Sequence, residues 1–568
     1  MPLYVTTGLK MLKDTLDPAR PVLIVDDSPM YRTAAKGMLQ RLGYPIHKVD
    51  FAQDAKEAML KCQVNSYSLI LFDYNLGKKA NGYQLIDQLK FENLIAPDCV
   101  SIIVTGDATP EVVRGFMELE PDGYLLKPLN YATLKERLPL FSAKKRQLAD
   151  ILNLMGNQRY QDAVECIDQS FYRDDEIIVK SQLLKARALF QLEQLDEARN
   201  ILINLKGSSE HPNVLLELAL IAYKQRQFKQ GLFLTEQVKK DPLRSALAYD
   251  LSSEIYAVQK QFESALKEIE TAISTSPKKL ARHEKRIAFA MAQLQFSDAI
   301  NAIKALLHES KNSFRDTVDY FLLAASLHLD IAQFGGVETN DTNIASVAKW
   351  VEQWRQHFTR DQYKAFELLI FCRVFRQKGD FIKSRTYFNQ YLQHIEETPK
   401  HEPTIFEQFE FFKASFSLRD TEKRQQAIES INKTLADLSL NATQQGLAHY
   451  FNQYRTKSEH SHAKLLKIKN YAKQYVTSKQ YEKAANLLGK SMKENLMDTE
   501  LCLLTLDVFT KSWPQNWSRL HVAKIAIICK EHLRGTKQSK SALYASACDM
   551  LAKQLNLSDL KVSKGLAV

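Results

Sequence analysis

The chain has 568 residues, 45% apolar and 25% charged, with a formal net charge of +11. That length exceeds one core and predicts three or more domains. The composition excludes a disordered chain, and the lack of any apolar run of about 18 residues excludes a transmembrane helix. The opening MPLYVTTGLKMLKDTLD has no long apolar stretch and does not read as a secretory signal. Seven cysteines (62, 99, 166, 372, 502, 529, 548) are scattered, with no C-x-x-C pair. They predict reduced thiols in a cytoplasmic protein, not a disulfide frame or a zinc site. Residues 1–140 hold 16 Lys+Arg and 17 Asp+Glu, so the positive excess lies in the remainder.

After an N-terminal extension (1–19), residues 20–140 alternate short apolar runs with amphipathic stretches. PVLIVDD reads as a strand, and SPMYRTAAKGMLQRLGY as a helix capped by Ser28 with Pro29 in its first turn. HKVDFA is a weaker strand and AQDAKEAMLKCQ a helix. YSLILFDYNL is a buried strand followed by the helix GYQLIDQLKFE. VSIIVTGD, TPEVVRGFMELE, DGYLLKPL and NYATLKERL continue as strand, helix, strand, helix. The last helix is expected over 131–138, with a short junction around Pro139. Five strands alternating with five helices predict a parallel sheet covered on both faces. Asp26, Asp27, Asp73 and Thr105 then fall at the carboxyl ends of strands, where such sheets bind ligands.

After Pro139 the pattern is helical and repetitive. RYQDA, QLDEA, QFKQG, QFESA and QFSDA place a large residue three positions before a small one. The small residues Ala163, Ala198, Gly231, Ala265 and Ala299 are spaced by 35, 33, 34 and 34. Twelve residues before three of them stand Ala186, Ala219 and Ser253. Antiparallel helices approach closely only where side chains are small, and this period resembles the tetratricopeptide repeat. The repeats are assigned to 141–310, and 311–568 to a degenerate helical region. Units are expected near Phe381/Ser384 and Tyr481/Ala484, with loops at 335–343 and 396–404.

Two adjacent aspartates at the end of a buried strand repel each other and are costly to desolvate, and Asp73 adds a third carboxylate. A hard divalent cation such as Mg²⁺ would relieve the crowding. Lys127 could then pair with phosphoryl oxygens and Thr105 could offer a hydroxyl. Asp26, Asp27, Asp73, Thr105, Tyr124 and the Lys127-Pro128 pair, in this order and on these strands, resemble the receiver domain of two-component response regulators. The resemblance implies a CheY-like, flavodoxin-like (βα)5 fold followed by a tetratricopeptide-like α-solenoid. It implies that Asp73 is phosphorylated by a histidine kinase or a histidine phosphotransfer protein. Mg²⁺ would be held by Asp26, Asp27, Asp73 and the backbone carbonyl of Asn75. Thr105 and Tyr124 would act as switch residues, and the Lys127–Pro128 peptide would be cis. One departure stands out: DYNLGKKANG lacks the family's proline after the acceptor, and its glycine is Gly82.

The expected function is therefore a bacterial phosphorelay response regulator. It would control protein–protein interactions, including feedback on a kinase, through the repeats. The repeat ligand is unknown, a homodimer is left open, no membrane partner is expected, and no enzyme activity is expected beyond autodephosphorylation. The alternative is a phosphorylation-regulated nucleic-acid-binding protein using the basic helices, although no compact DNA-binding tail is seen. His460 and His462, on the basic stretch EHSHAKLLKIK, are read as surface residues rather than a phosphotransfer site.

Overall fold

A computed structural model describes residues 16–17, 19–77, 80–107, 109–208, 211–335, 340–436, 441–494, 498–534 and 536–556. Most of the N-terminal extension therefore lies outside the described residues. Five strands, β1 (Val22–Val25), β2 (Val49–Ala52), β3 (Leu69–Phe72), β4 (Val100–Thr105) and β5 (Gly123–Leu126), form one sheet of order β2-β1-β3-β4-β5. All pairings are parallel. Five helices alternate with them: α1 (Pro29–Arg41), α2 (Ala55–Val64), α3 (Gly82–Phe91), α4 (Pro110–Glu118) and α5 (Tyr131–Gln147).

Alternation along the strands sorts the helices onto two faces. Leu23, Val25, Ile70, Phe72 and Ile103 pack toward α2, α3 and α4. Val22, Ile24, Leu69, Leu71 and Ile102 pack toward α1 and α5. Each fully buried side chain of this kind contributes about 1.5–3 kcal/mol, which fixes the register. Local chemistry starts the helices. Ser28 accepts from the Tyr31 N–H, Asp54 from Glu57, and Asn81 with Gln84 makes a reciprocal cap.

The last helix departs from the expectation. α5 does not stop at 138 but runs through Pro139 to Gln147. The proline removes one backbone hydrogen bond, yet packing outweighs that loss. The Phe141 ring fills the space where a Cβ on Gly123 would stand, and Lys145 pairs with Asp122 at 3.1 Å.

The described chain divides into two compact units. One comprises residues up to 286 with 306–316, the other 287–305 with 317–568. Beyond α5 the chain is a solenoid-like array of helices: α6 (Ala149–Gly156), α7 (Tyr160–Gln169), α8 (Asp175–Gln191), α9 (Leu195–Ser208), α10 (Pro212–Lys224), α11 (Phe228–Val238), α12 (Ser245–Val258), α13 (Phe262–Thr275), α14 (Leu280–Ala292) and α15 (Phe296–Ser310). Then follow α16 (Asp319–Phe334), α17 (Asn340–His357), α18 (Arg360–Gln377), α19 (Phe381–Glu397), α20 (Ile405–Ser417), α21 (Thr421–Ala436), α22 (Ala442–Thr477), α23 (Tyr481–Lys493), α24 (Thr499–Phe509), α25 (Arg519–Leu533) and α26 (Ala542–Leu555). The loop expected at 335–343 is shorter than read, because α17 begins at Asn340.

The repeat has a backbone cause. Gln158, Glu193, Arg226, Lys260 and Leu294 all adopt left-handed φ of 56–60°, each two residues before the large residue that begins the next helix. In each turn the following N–H returns to a carbonyl five residues back, as in Gln194 to Leu189 and Gln261 to Tyr256, both at 2.9 Å. This closes the preceding helix with a Schellman-type bond. The small residue five positions after the turn is buried where the hairpin closes. A Cβ on Gly231 would lie 3.5 Å from the Ala219 carbonyl and 2.9 Å from Ile255. The same turn recurs at Gly379 and Lys479, ahead of the buried Ser384 and Ala484.

A side chain at left-handed φ costs roughly 1–2 kcal/mol, and a glycine gives back about 0.5–1 kcal/mol in chain entropy. Lys260→Gly is expected to stabilise the protein by up to about 1 kcal/mol, read as a higher urea midpoint. A lower midpoint would show that side-chain contacts, not backbone strain, set this turn.

Candidate functional site

The sheet order places β1 between β2 and β3, so the chain reverses its winding direction beside the ends of β1 and β3. Asp26 and Asp27 follow β1, Asp73 follows β3, and Lys127 follows β5. One oxygen from each aspartate lies within 4.8 Å of the others. Asp26 and Asp73 are buried, whereas Asp27 is exposed. Lys127 bridges the two buried acids, its Nζ 2.6 Å from Asp26 Oδ2 and 2.8 Å from Asp73 Oδ2. The Lys127–Pro128 peptide is cis.

The electrostatics follow. Burial pushes the Asp73 carboxyl up and Asp26 adds to this. Lys127 and the Asn75 backbone N–H pull the other way, and the balance stays above the ordinary aspartate value. Burial disfavours the Lys127 ammonium, but its hydrogen bonds to Asp26 and Asp73 win and hold it above the usual lysine value. A single ammonium among three carboxylates leaves an excess of negative oxygen. Such hard donors suit Mg²⁺, which prefers oxygen ligands and keeps several waters. Asp26, Asp27 and Asp73 thus fit that ion.

Of the remaining sequence-derived residues, Asn75 meets the site through its N–H to Asp73. Thr105 is wholly buried at the end of β4, where its Oγ1 accepts from the Asp107 N–H at 3.1 Å. The half-buried Tyr124 donates its hydroxyl to the Asp107 carbonyl at 2.8 Å. Gly82 answers the departure noted in the loop. Its N–H donates to the Tyr74 carbonyl, and a Cβ there would lie 2.0 Å from the Asp73 carbonyl oxygen. Glycine is required by close approach, with or without the proline.

Two sets of residues escaped the sequence reading. In α1, the Arg32 guanidinium donates to the Asp26 carbonyl, and the Tyr31 ring lies 4.3 Å from the Lys127 ammonium. Their place one turn after the acidic pair was the available signal. On α4, Phe116 gathers Tyr74, Tyr83 and Tyr124, with ring centroids 5.6, 6.1 and 6.5 Å away. The outer surface of the same helix meets the array within the first compact unit. Arg282, wholly buried, pairs with Glu118 at 2.9 Å. Arg114 donates to the carbonyls of Pro242 and Thr275. Arg187 reaches Glu120, just beyond α4, at 3.3 Å. On α3, Asp87 pairs with Arg315 at 2.9 Å and Gln84 donates to the Glu309 carbonyl. No local pattern announces such partners, which lie some 65–230 residues away along the chain.

Comparison with known proteins agrees with this geometry. The response regulator receiver domain family matches residues 22–139. The gliding motility regulatory protein of Myxococcus xanthus is 40% identical over 106 residues, 19% of this chain and 13% of that protein. Sensor histidine kinase RcsC of Escherichia coli (strain K12) is 29% identical over 129 residues, 23% of this chain and 13% of its own. This chain thus spans 13% of the length of each of these relatives. Among solved structures, a CheY-like receiver domain protein from Methanospirillum hungatei JF-1 is 28% identical, with a TM-score of 0.20. It covers 22% of this chain and 97% of its own. Chemotaxis protein CheY4 of Vibrio cholerae is 27% identical, covering 22% and 98%, with a TM-score of 0.20. Among the described residues no helix is long and apolar enough to cross a membrane. With its acidic edge, bridging lysine and five-stranded parallel sheet, the segment 22–139 is a response regulator receiver domain.

Proposed function

We propose that the chain is a cytoplasmic phosphorelay regulator whose receiver domain takes a phosphoryl group on Asp73 and passes the signal to its helical array. The observation that carries this reading is Lys127 held between Asp26 and Asp73 beside the exposed Asp27. Asp26, Asp27, Asp73 and the Asn75 carbonyl would hold Mg²⁺, which when bound supplies neutralising charge for the incoming phosphoryl group. A histidine kinase or phosphotransfer protein supplies that group, and an Asp73 carboxylate oxygen accepts it as the donor's phosphorus–nitrogen bond breaks. Lys127 then shifts from bridging two carboxylates to holding a phosphoryl oxygen. The Thr105 hydroxyl turns from Asp107 toward the phosphoryl group, and Tyr124 moves into the space it leaves.

The output proposed here runs through α4. A phosphoryl group adds roughly −1.5 to −2 charge. The resulting movement of Tyr124 is felt by Phe116, and so by the helix that carries Glu118 onto Arg282. Phosphorylation would bias two packings of α4 against the tetratricopeptide-like hairpins and so govern their engagement of a protein partner. Stacked hairpins of this kind present surfaces for peptides or helices. Several basic side chains of the array are held in ion pairs, such as Lys285 with Asp250 and Lys469 with Asp498. That favours protein recognition over a nucleic-acid stripe.

Two measurements test this. With magnesium and acetyl phosphate, the intact protein is expected to gain one phosphoryl mass, and Asp73→Asn none; equal gain by both would place the acceptor elsewhere. Hydrogen exchange on the full chain reads the coupling. Amides of α4 and of 241–286 are expected to exchange faster after phosphorylation of the wild type and to stay unchanged in Asp73→Asn treated alike. Unchanged exchange in a phosphorylated wild type would leave the array as a constitutive scaffold.

A further inference from the structure

The second compact unit contains a cavity of ≈ 760 Å³ among the ends of α16, α18, α20, α23 and α25 and the middle of α22. Six cations face it: Arg376, Arg419, Arg424, Lys457, Lys464 and Lys493, against Glu494 as the one lining carboxylate. Arg419 and Lys464 are neutralised by Asp498 at 2.8 Å and Glu494 at 2.6 Å. Among the described residues, the other four have no carboxylate within ion-pair range.

A purely structural account would have these cations satisfy helix C-terminal carbonyls. Carbonyls cover only part of one residue, although Arg376 also lies 4.2 Å from the Phe381 ring and Lys493 5.2 Å from the Trp517 ring. Arg376 Nε donates to the Ser417 carbonyl at 3.2 Å, and its Nη1 lies 3.2 Å from His532 Nε2. Burial and the neighbouring Arg419 pull Arg376 down to about 10, and burial with Arg376 pulls His532 down to about 3. The imidazole is therefore neutral and cannot compete for an anion. Ser458, 1% exposed, also lines the cavity, and its Oγ has no hydrogen-bond partner. A buried hydroxyl left so costs about 1–3 kcal/mol.

One departure from the repeat pattern also lines the cavity. Arg419 has the left-handed φ, 57°, of the other hairpin turns. Five residues after seven such turns stands a buried Ala, Gly or Ser; five residues after Arg419 stands Arg424. At this hairpin a guanidinium stands where the others carry a small side chain, 5.6 Å from the Phe416 ring, while Lys457 lies 4.6 Å from the Phe334 ring.

We propose that this cavity is a binding site for a small ligand carrying two or more phosphate charges, either a nucleoside polyphosphate or an inorganic condensed phosphate. Its volume suits such a molecule, since ligand pockets run from about 300 to 1,000 Å³. Arg376, Arg424, Lys457 and Lys493 supply charge-assisted donors, and Ser458 supplies the hydroxyl that otherwise lacks a partner. The histidines noted in the sequence, His460 and His462, sit at its rim.

Isothermal titration calorimetry of the full chain tests this with ATP, inorganic pyrophosphate, adenosine and a glutamate-rich decapeptide as separate probes. One-to-one binding of ATP or pyrophosphate but not adenosine is expected. It should weaken at least about tenfold in Arg376→Gln and in the double variant Arg424→Ser/Lys457→Ser, since a hydrogen bond to a charged group is worth about 1.5–3 kcal/mol. Tighter ATP than pyrophosphate identifies a nucleotide ligand, and equal affinity an inorganic one. If Arg376→Gln does not fold by thermal melting, the double variant decides. Asp73→Asn should bind normally, which separates this site from the receiver. Silence with ATP and pyrophosphate, binding that survives both variants, or binding of the peptide alone would overturn the proposal.

Discussion

Three carboxylates at one sheet edge are the constraint around which the first compact unit is arranged. Asp26 and Asp73 are both buried, and neither could stay so without Lys127 between them. That contact requires β1, β3 and β5 to end at compatible heights, which the parallel register secures. Val25 lies opposite Phe72, Phe72 opposite Ile103, and Thr105 opposite Leu126. The loop after β3 is tight as well, with Gly82 packed on the Asp73 backbone carbonyl and no room for a Cβ. The bridge remains incomplete, because one ammonium cannot balance three acids. That imbalance is what suits the site to a hard cation.

From this edge the structure offers a physical route outward. Phe116 touches the aromatic residue after Asp73, the tyrosine of β5 and the tyrosine of α3. Its helix carries Glu118, paired with the wholly buried Arg282, which itself lies 3.5 Å from Asp250. A buried ion pair adds little net stability, but removing one partner costs about 3–5 kcal/mol. Such a contact tolerates few geometries and so favours discrete packings over gradual ones. On the proposed function, the α4 surface would be a sharper relay than the covalent junction through α5.

The elements of residues 20–140 and the first five hairpins were legible in the sequence for definite reasons. Buried parallel strands demand uninterrupted runs such as LILF, and a hairpin crossing demands a small residue at a fixed interval. Both are local requirements. The path of α5 through Pro139 was not legible, because the proline's cost is local whereas its compensation, Phe141 against Gly123 and Lys145 with Asp122, comes from another element. The α20–α21 hairpin was missed for a related reason. Its turn has the common geometry, but Arg424 replaces the small residue that marks the others. Of the acidic site, Asp26, Asp27, Asp73 and Lys127 were legible because strand ends converge in any parallel sheet. Tyr31 and Arg32 were passed over, although they stand in the first turn of the helix that follows the acidic pair.

By itself the sequence determined the strand and helix periods, the acidic edge of the sheet and the recurrence of the hairpins, because each is written in residues close along the chain. Tertiary structure alone decided which charges meet. Arg282 finds Glu118, and Arg373 is buried between Asp330 at 2.7 Å and Glu410 at 3.1 Å, beside Lys413. It also decided which cations are left facing a cavity. Pairing of buried charge depends on distance and desolvation in the folded chain, and no sequence interval encodes either.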